Sequence, residues 1–322
     1  MFDFCEKTKK ESYRDLYIDR YGYVYPSCRT YEDTVIGNLA DEDIYQKVME
    51  ARRELDTIQD VHERCQTEFD LVTVEFSSFC RASCIYCFQN NAAPVVRYPF
   101  YEQLMDFLSK IRMRELFTAG GEILDQPDTM AFLEQYRATF PDQWIHLKTN
   151  GCSDKVDFVT RIFNSVMVSV NGFSQASYQT LMHLEDMETM KAFCKEVSES
   201  GKTDLLVKLL VSPLDIHEMA DFFNWGVSLS PKSIIYQAAY EYSYGANGQC
   251  SRRRTFLEDL KGGFWEEVIR RSNRRLENSI RHYQADYADQ KTVFFADKEV
   301  TDFLNFNPFL KDFFSTSGTY SL

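Results

Sequence analysis

The sequence predicts an α/β protein built on a parallel sheet, and three observations in the 322 residues carry that prediction. Six short apolar runs recur along the middle of the chain. A longer stretch of helical spacing separates each from the next. Glycine-containing turns follow the runs at Gly120, Gly151 and Gly172. Strands joined through intervening helices are crossover-connected and therefore parallel, whereas tight hairpins would make them antiparallel.

The first run, LVTVEF at 71–76, is rich in β-branched residues and reads as a buried strand. Helical spacing over 98–112 leads to MRELFTAGGE, a strand ending in a Gly-Gly turn. A helix over 127–139, the strand WIHLKTNG, a helix over 154–163 and the strand SVMVSVNG follow. One long helical stretch then runs to Ser200, before the strand LLVKLLV, a helix from about Asp215 and the strand SIIYQAAY. The three glycine turns would line one rim of the sheet, the end at which parallel barrels bind ligands. Closure is an inference beyond periodicity, and the resulting architecture is a partial (β/α)6 TIM-like barrel over 71–240. A small N-terminal accessory unit at 1–70, polar and Tyr-rich with a helical tract over 41–62, precedes it. A C-terminal helical and aromatic cap at 241–322 follows.

Composition narrows the function. Hydrophobic residues at 44% and charged residues at 26% are the mix of a soluble globular protein with a full core. A membrane span needs about 18 uninterrupted apolar residues, and no such run occurs. The opening MFDFCEKTKKESYRD lacks the apolar stretch of a secretory signal, which predicts a cytoplasmic protein. A net charge of −13 argues against nucleic acid as a partner. Nine cysteines without an export signal point to a reducing compartment, where metal binding or catalysis is the usual role, and their odd number weakens an all-disulfide scheme.

The sequence FCRASCIYCFQNN sets Cys80, Cys84 and Cys87 in a CxxxCxxC pattern directly after a strand. Three thiolates this close can wrap one cubic [4Fe-4S] cluster while serving three of its four irons, leaving one iron open to an outside ligand. A structural zinc site needs a fourth nearby ligand; the nearest histidine in sequence is His62. Buried packing cysteines are the bland alternative, opposed by the polar company of Arg81, Ser83 and the Gln-Asn-Asn that follows.

At these residues the chain resembles the radical S-adenosylmethionine superfamily. The loop follows the first strand and carries an aromatic residue at Tyr86; Gly120, Gly121 and Glu122 resemble the Gly-Gly-Glu motif ending the second strand, with Ile123 where a proline is usual. Thr149-Asn150-Gly151 resembles the turn after the third strand, and Ser169 stands where relatives contact ribose or carboxylate, with Asn171 in place of a common Asp. The resemblance spans about 71–240. It implies a [4Fe-4S] cluster whose open iron is chelated by S-adenosylmethionine, cofactor contacts from Tyr86, Gly120, Gly121, Glu122, Asn150 and Ser169, and a flavodoxin- or ferredoxin-type electron donor. It also implies a 5′-deoxyadenosyl radical that abstracts hydrogen from a peptide or a small biosynthetic intermediate. Two rivals stand beside it: an iron–sulfur electron carrier or scaffold, and an activase that installs a glycyl radical on a partner.

Near the N-terminus, YIDRYGYVYPSC…VIGNLADEDIYQ…ERC resembles part of a SPASM or twitch accessory domain, although such domains usually follow the barrel. That resemblance implies a second, auxiliary cluster on Cys5, Cys28 and Cys65, and leans the substrate toward a peptide. No leader-peptide-binding domain is recognisable. Cys194 sits on a helical pattern and reads as core packing, Cys152 follows the Thr-Asn-Gly turn, and Cys250 stands alone. The runs SRRR (251–254) and RRSNRR (270–275) read as solvated faces balanced by nearby acids, or as a site for an acidic substrate.

Overall fold

The computed structural model describes residues 15–26, 35–58, 68–87, 97–244, 250–286 and 291–314. The chain forms two compact units, one of Met1–Cys80, Ala92–Lys148 and Ile162–Asn164, the other of Arg81–Asn91, Thr149–Arg161 and Ser165–Leu322. Cys5, Cys28 and Cys65 lie outside the described residues.

The first unit contains β1 (Asp15–Ile18), β2 (Tyr23–Tyr25), β3 (Gly37–Asn38), α1 (Ile44–Ile58), β4 (Glu68–Glu75), α2 (Tyr101–Lys110), β5 (Arg112–Ala119), α3 (Pro127–Thr139) and β6 (Trp144–Thr149). β4, β5 and β6 are parallel neighbours, with Val72 opposite Leu116 and Leu116 opposite Ile145. Side chains alternate across a strand, so this register sends Val72, Val74, Leu116, Ile145 and Leu147 to one face, all fully buried. Thr73, Glu75, Phe117 and His146 take the other face. α2 and α3 bury Leu104, Phe107, Leu108, Phe132, Leu133 and Tyr136. α3 starts on Pro127, whose missing N–H costs nothing in a first helical turn.

The Tyr-rich N-terminal residues extend this same sheet. β1 runs parallel to β4, with Asp15 opposite Leu71 and Ile18 opposite Val74, and β2 and β3 continue antiparallel beyond it. The Asp19 carboxylate shapes the β1–β2 turn by accepting from the amides of Tyr21 and Tyr23, each at 2.9 Å. At the end of β4 the buried Glu75 accepts from the Tyr17 hydroxyl at 2.9 Å and pairs with Arg20 at 3.5 Å.

The second unit contains α4 (Val156–Ile162), β7 (Ser165–Val170), α5 (Gln175–Met182), α6 (Met187–Ser200), β8 (Asp204–Val211), α7 (Met219–Ser228), β9 (Ser233–Ala238), β10 (Tyr240–Tyr244), β11 (Cys250–Thr255), α8 (Gly263–Asp286), β12 (Val293–Ala296), α9 (Lys298–Phe303) and α10 (Pro308–Phe313). β7, β8 and β9 are parallel, with Val168 opposite Val207 and Val207 opposite Ile234. The long helical stretch expected up to Ser200 is two helices. His183 turns left-handed (φ 54°) and ends α5, and Asp186 caps α6 by accepting from the Thr189 amide. β10 and β11 pair as a separate antiparallel ribbon. The aromatic tail supplies a further parallel strand, β12, with Phe294 opposite Ile234 of β9.

Candidate functional site

Within the first unit, the exit of β4 lies beside the turn after β5. The two run backbone against backbone: the Phe76 amide donates to Ala119 O at 3.1 Å, the Gly121 amide to Ser77 O at 2.5 Å and the Glu122 amide to Phe79 O at 2.8 Å. This closeness explains the glycine pair. Gly120 sits at φ +120°, and a Cβ on Gly121 would lie 1.9 Å from the Phe79 carbonyl oxygen. The segment Ser77–Cys80 is therefore set by the Gly-Gly turn, a relation that spacing alone did not reveal. Glu122 is buried, and its Oε1 accepts from the Leu124 amide at 3.2 Å, capping a short 3-10 turn.

The second unit, described by itself, includes residues 81–87 of the cysteine loop. The Ser83 amide donates to Met182 O at 3.2 Å and the Ile85 amide to Leu181 O at 3.0 Å, fixing the loop to the end of α5, while the Cys87 amide closes a turn on Cys84 O. The Tyr86 ring is buried and packs on Phe256 at 4.9 Å, with its hydroxyl bonded to Ser212. Burial pushes this phenol up to about 12. After β6, Gly151 N–H donates to Thr149 Oγ1 at 3.0 Å and Cys152 N–H to Asn150 Oδ1 at 2.8 Å, so Asn150 shapes its own turn. Cys152 Sγ lies 2.8 Å from the Tyr178 hydroxyl, and Arg81 Nη2 donates to Cys152 O at 2.8 Å. Burial raises the Tyr178 pKa, and negative charge on Cys152 or Cys84 would raise it further. Tyr178 is a neighbour that sequence spacing could not find.

At the exit of β7, Ser169 Oγ and Asn171 Oδ1 are buried without a hydrogen-bond partner among the described residues. Ser169 lies in β7 and Asn171 directly follows its last residue. The Asp215 carboxylate accepts from the Ser212 amide at 2.6 Å, the Ser212 hydroxyl at 3.0 Å and the Gly172 amide. A hydrogen-bonded path thus runs inside this unit from Tyr86 of the cysteine loop, through Ser212 and Asp215, to the residue after Asn171. Neither Asp215 nor Ser212 was marked by any motif.

Cys80, Cys84 and Cys87 are all partly exposed. Among the described residues, no three His, Cys, Asp or Glu side chains close on a single metal-ion position. A one-ion site requires that convergence; a cubic cluster gives each thiolate its own iron. Cys194 is buried on α6, and Cys250 lies on β11. The arginine runs are engaged by acids: Arg254 with Glu241 and Asp259, Arg270 and Arg271 with Glu267, and Arg275 with Asp221.

Parallel strands, helical crossovers and side chains gathered at the strand exits define an α/β protein of the partial-barrel class. Residues 74–225 match the family model described as the Radical SAM superfamily. Among solved structures, the chain resembles Streptococcus suis SuiB bound to S-adenosylmethionine, with a TM-score of 0.53 and 14% identity over 80% of this chain and 56% of that one. It likewise resembles SuiB bound to the precursor peptide SuiA, with a TM-score of 0.53 and 15% identity over 84% of this chain and 58% of that one. At such identity the likeness shows the fold, a mostly parallel sheet of partial-barrel type, and the chain spans under two thirds of SuiB. No functionally curated protein matches the chain.

Proposed function

We propose that this chain binds a [4Fe-4S] cluster through Cys80, Cys84 and Cys87, cleaves S-adenosylmethionine reductively and takes hydrogen from a peptide, with a small biosynthetic intermediate as the other substrate class. The observation that carries the reading is the pair of orphaned oxygens, Ser169 Oγ and Asn171 Oδ1, on a strand whose exit is bonded through Asp215 and Ser212 to Tyr86 of the cysteine loop. Buried acceptors without partners are costly unless a ligand supplies the donors. Cofactor hydroxyls are such donors, so the residues present fit the group.

When bound, the reduced cluster and the sulfonium cofactor together supply a carbon-centred radical. The protein's own part is placement. The three thiolates hold three irons and leave the fourth for the cofactor. Gly120 and Gly121 let the backbone after β5 come up against Ser77 and Phe79, and Glu122 offers a buried acid to the cofactor's ammonium. Tyr86 keeps the loop seated through Phe256 and Ser212.

The peptide reading draws on the fold shared with SuiB, which has been seen with its precursor peptide. Electrons would come from a flavodoxin- or ferredoxin-type donor. A cytoplasmic site of action fits nine cysteines, and no helix among the described residues is long and apolar enough to cross a membrane. A second cluster on Cys5, Cys28 and Cys65, which lie outside the described residues, rests on the likeness of the N-terminal sequence to part of a SPASM or twitch domain.

The deciding experiment is anaerobic reconstitution followed by dithionite reduction with S-adenosylmethionine. Wild type should form 5′-deoxyadenosine, and a variant with Cys80, Cys84 and Cys87 changed to Ala should form none. Cleavage by that variant refutes the assignment. Failure of cluster-loaded wild type to cleave favours the electron-carrier reading.

A further inference from the structure

Two acidic side chains in the connection between β8 and α7 are buried: Asp215, already on the path to Tyr86, and Glu218, which the reading so far does not use. Each engages the stretch that follows β7, while Asp215 Oδ2 and Glu218 Oε1 have no hydrogen-bond partner among the described residues. Asp215 accepts from the Gly172 amide, in addition to both donors of Ser212. Glu218 Oε2 accepts from the Phe173 amide at 2.5 Å and from the Ser177 hydroxyl at 2.6 Å, while its Oε1 faces His217 Nε2 at 3.6 Å. Two consecutive amides of one turn are thus held by two carboxylates from another.

The turn they hold is tightly fitted. Gly172 sits at φ +81°, and a Cβ there would lie 2.5 Å from the Ser177 carbonyl carbon and 2.6 Å from the Tyr178 nitrogen. Ser177 also closes the capping box of α5 with Ser174, so Glu218 grips the start of that helix as well as the turn. Immediately before the turn stand the two orphaned oxygens of Ser169 and Asn171. Buried carboxylates are expensive to desolvate and are retained where their hydrogen bonds fix something. What these two fix is the path of residues 171–177.

We infer that Asp215 and Glu218 are positioning residues, which hold the β7 exit so that Ser169 and Asn171 present their oxygens to the cofactor. The inference rests on the cofactor site proposed above. In this inference each acid acts through the residues it holds: Glu218 through Phe173 and Ser177, Asp215 through Gly172 and Ser212.

Glu218→Ala, Glu218→Gln, Ser177→Ala and the double variant Ser169→Ala, Asn171→Ala test it in the full-length, anaerobically reconstituted protein. The readouts are iron content, the electron paramagnetic resonance spectrum of the reduced cluster without cofactor, and S-adenosylmethionine affinity by titration. Glu218→Ala should keep the iron and the cofactor-free spectrum of wild type while binding the cofactor about tenfold more weakly, a loss on the scale of a charge-assisted hydrogen bond. Glu218→Gln retains an acceptor oxygen for Phe173 and Ser177 and should recover most of that loss, which general destabilisation would not do. Ser177→Ala removes one of the two Glu218 partners and should cost about threefold in affinity. It carries the test should Glu218→Ala fail to fold. Wild-type affinity in Glu218→Ala, or in Ser177→Ala where Glu218→Ala does not fold, overturns the clamp if the double variant binds weakly. Wild-type affinity in the double variant overturns the cofactor site and the clamp with it.

Discussion

Asp215 has no solvent around its carboxyl, and burial pushes its pKa up to about 7 against the opposing pull of its Ser212 and Gly172 hydrogen bonds. An unfolded aspartate titrates near 3.9, so the folded chain binds this proton more tightly than the unfolded one. The stabilisation from the protonated form is therefore complete below about pH 4 and is lost as pH rises through about 7. Asp19, raised to about 6 chiefly by burial, acts in the same direction up to about pH 6. Asp215→Asn carries a neutral amide at every pH. Its urea midpoint should improve relative to wild type between pH 5 and pH 8, and a difference that stays flat with pH would show that Asp215 does not titrate in this window. At Gly121 the physics is steric. The oxygen 1.9 Å from a new Cβ belongs to the backbone of Phe79 and cannot swing away as a side chain would. Gly121→Ala should cost about 1–3 kcal/mol, the range for overpacking. It should also lower the iron retained on reconstitution, because Phe79 leads directly into Cys80. Wild-type melting and iron content in this variant would show that the two segments are not held so closely.

At the level of elements, the break between α5 and α6 yields a test of a single cap. Asp186 accepts from the Thr189 amide at 2.9 Å, and its carboxylate pKa is lowered by the Thr189 side chain and amide. Asp186→Ala should cost about 1 kcal/mol of stability, read as a lower denaturant midpoint with an unchanged slope. An unchanged midpoint would mean that α6 starts without help from this side chain. This break was hidden in the sequence because HLEDME keeps helical spacing on either side, and a histidine does not announce a left-handed backbone. The strands β4 to β9 were legible as short apolar runs, continuous where both faces are buried as in β8 and β9, and the helices between them by the spacing of their one buried face. β1, β2 and β12 have four residues or fewer, too short for periodicity to separate them from loop. The candidate site divides in the same way. Cys80, Cys84, Cys87 and the glycine turns are local patterns and were visible as such. Asp215, Glu218, Ser212 and Tyr178 meet their partners only through tertiary folding, and a lone Asp or Ser in a loop has no spacing to betray it.

For the whole molecule, cluster number is the quantity that iron analysis decides. Cys5, Cys28 and Cys65 lie outside the described residues, while the loop of Cys80, Cys84 and Cys87 follows the end of β4. A cluster on the first three would serve folding, since thiolates gathered by a metal order the chain around them. Reconstituted wild type should hold more iron than one four-iron cluster requires, and the variant lacking Cys80, Cys84 and Cys87 should keep the remainder. Iron near four in wild type and near zero in that variant would remove the auxiliary cluster while leaving the radical chemistry intact. The position of β12 bears on how the chain is made. It pairs beside β9 but is encoded more than fifty residues later, after a ribbon and the 24-residue α8. During synthesis β9 must wait with one row of amides and carbonyls unfilled until residues 293–296 have left the ribosome. An open edge is a template for any other strand within reach. Until those four residues arrive, the nascent second unit is open to the wrong neighbour, and the last part of the message guards what the middle has already built.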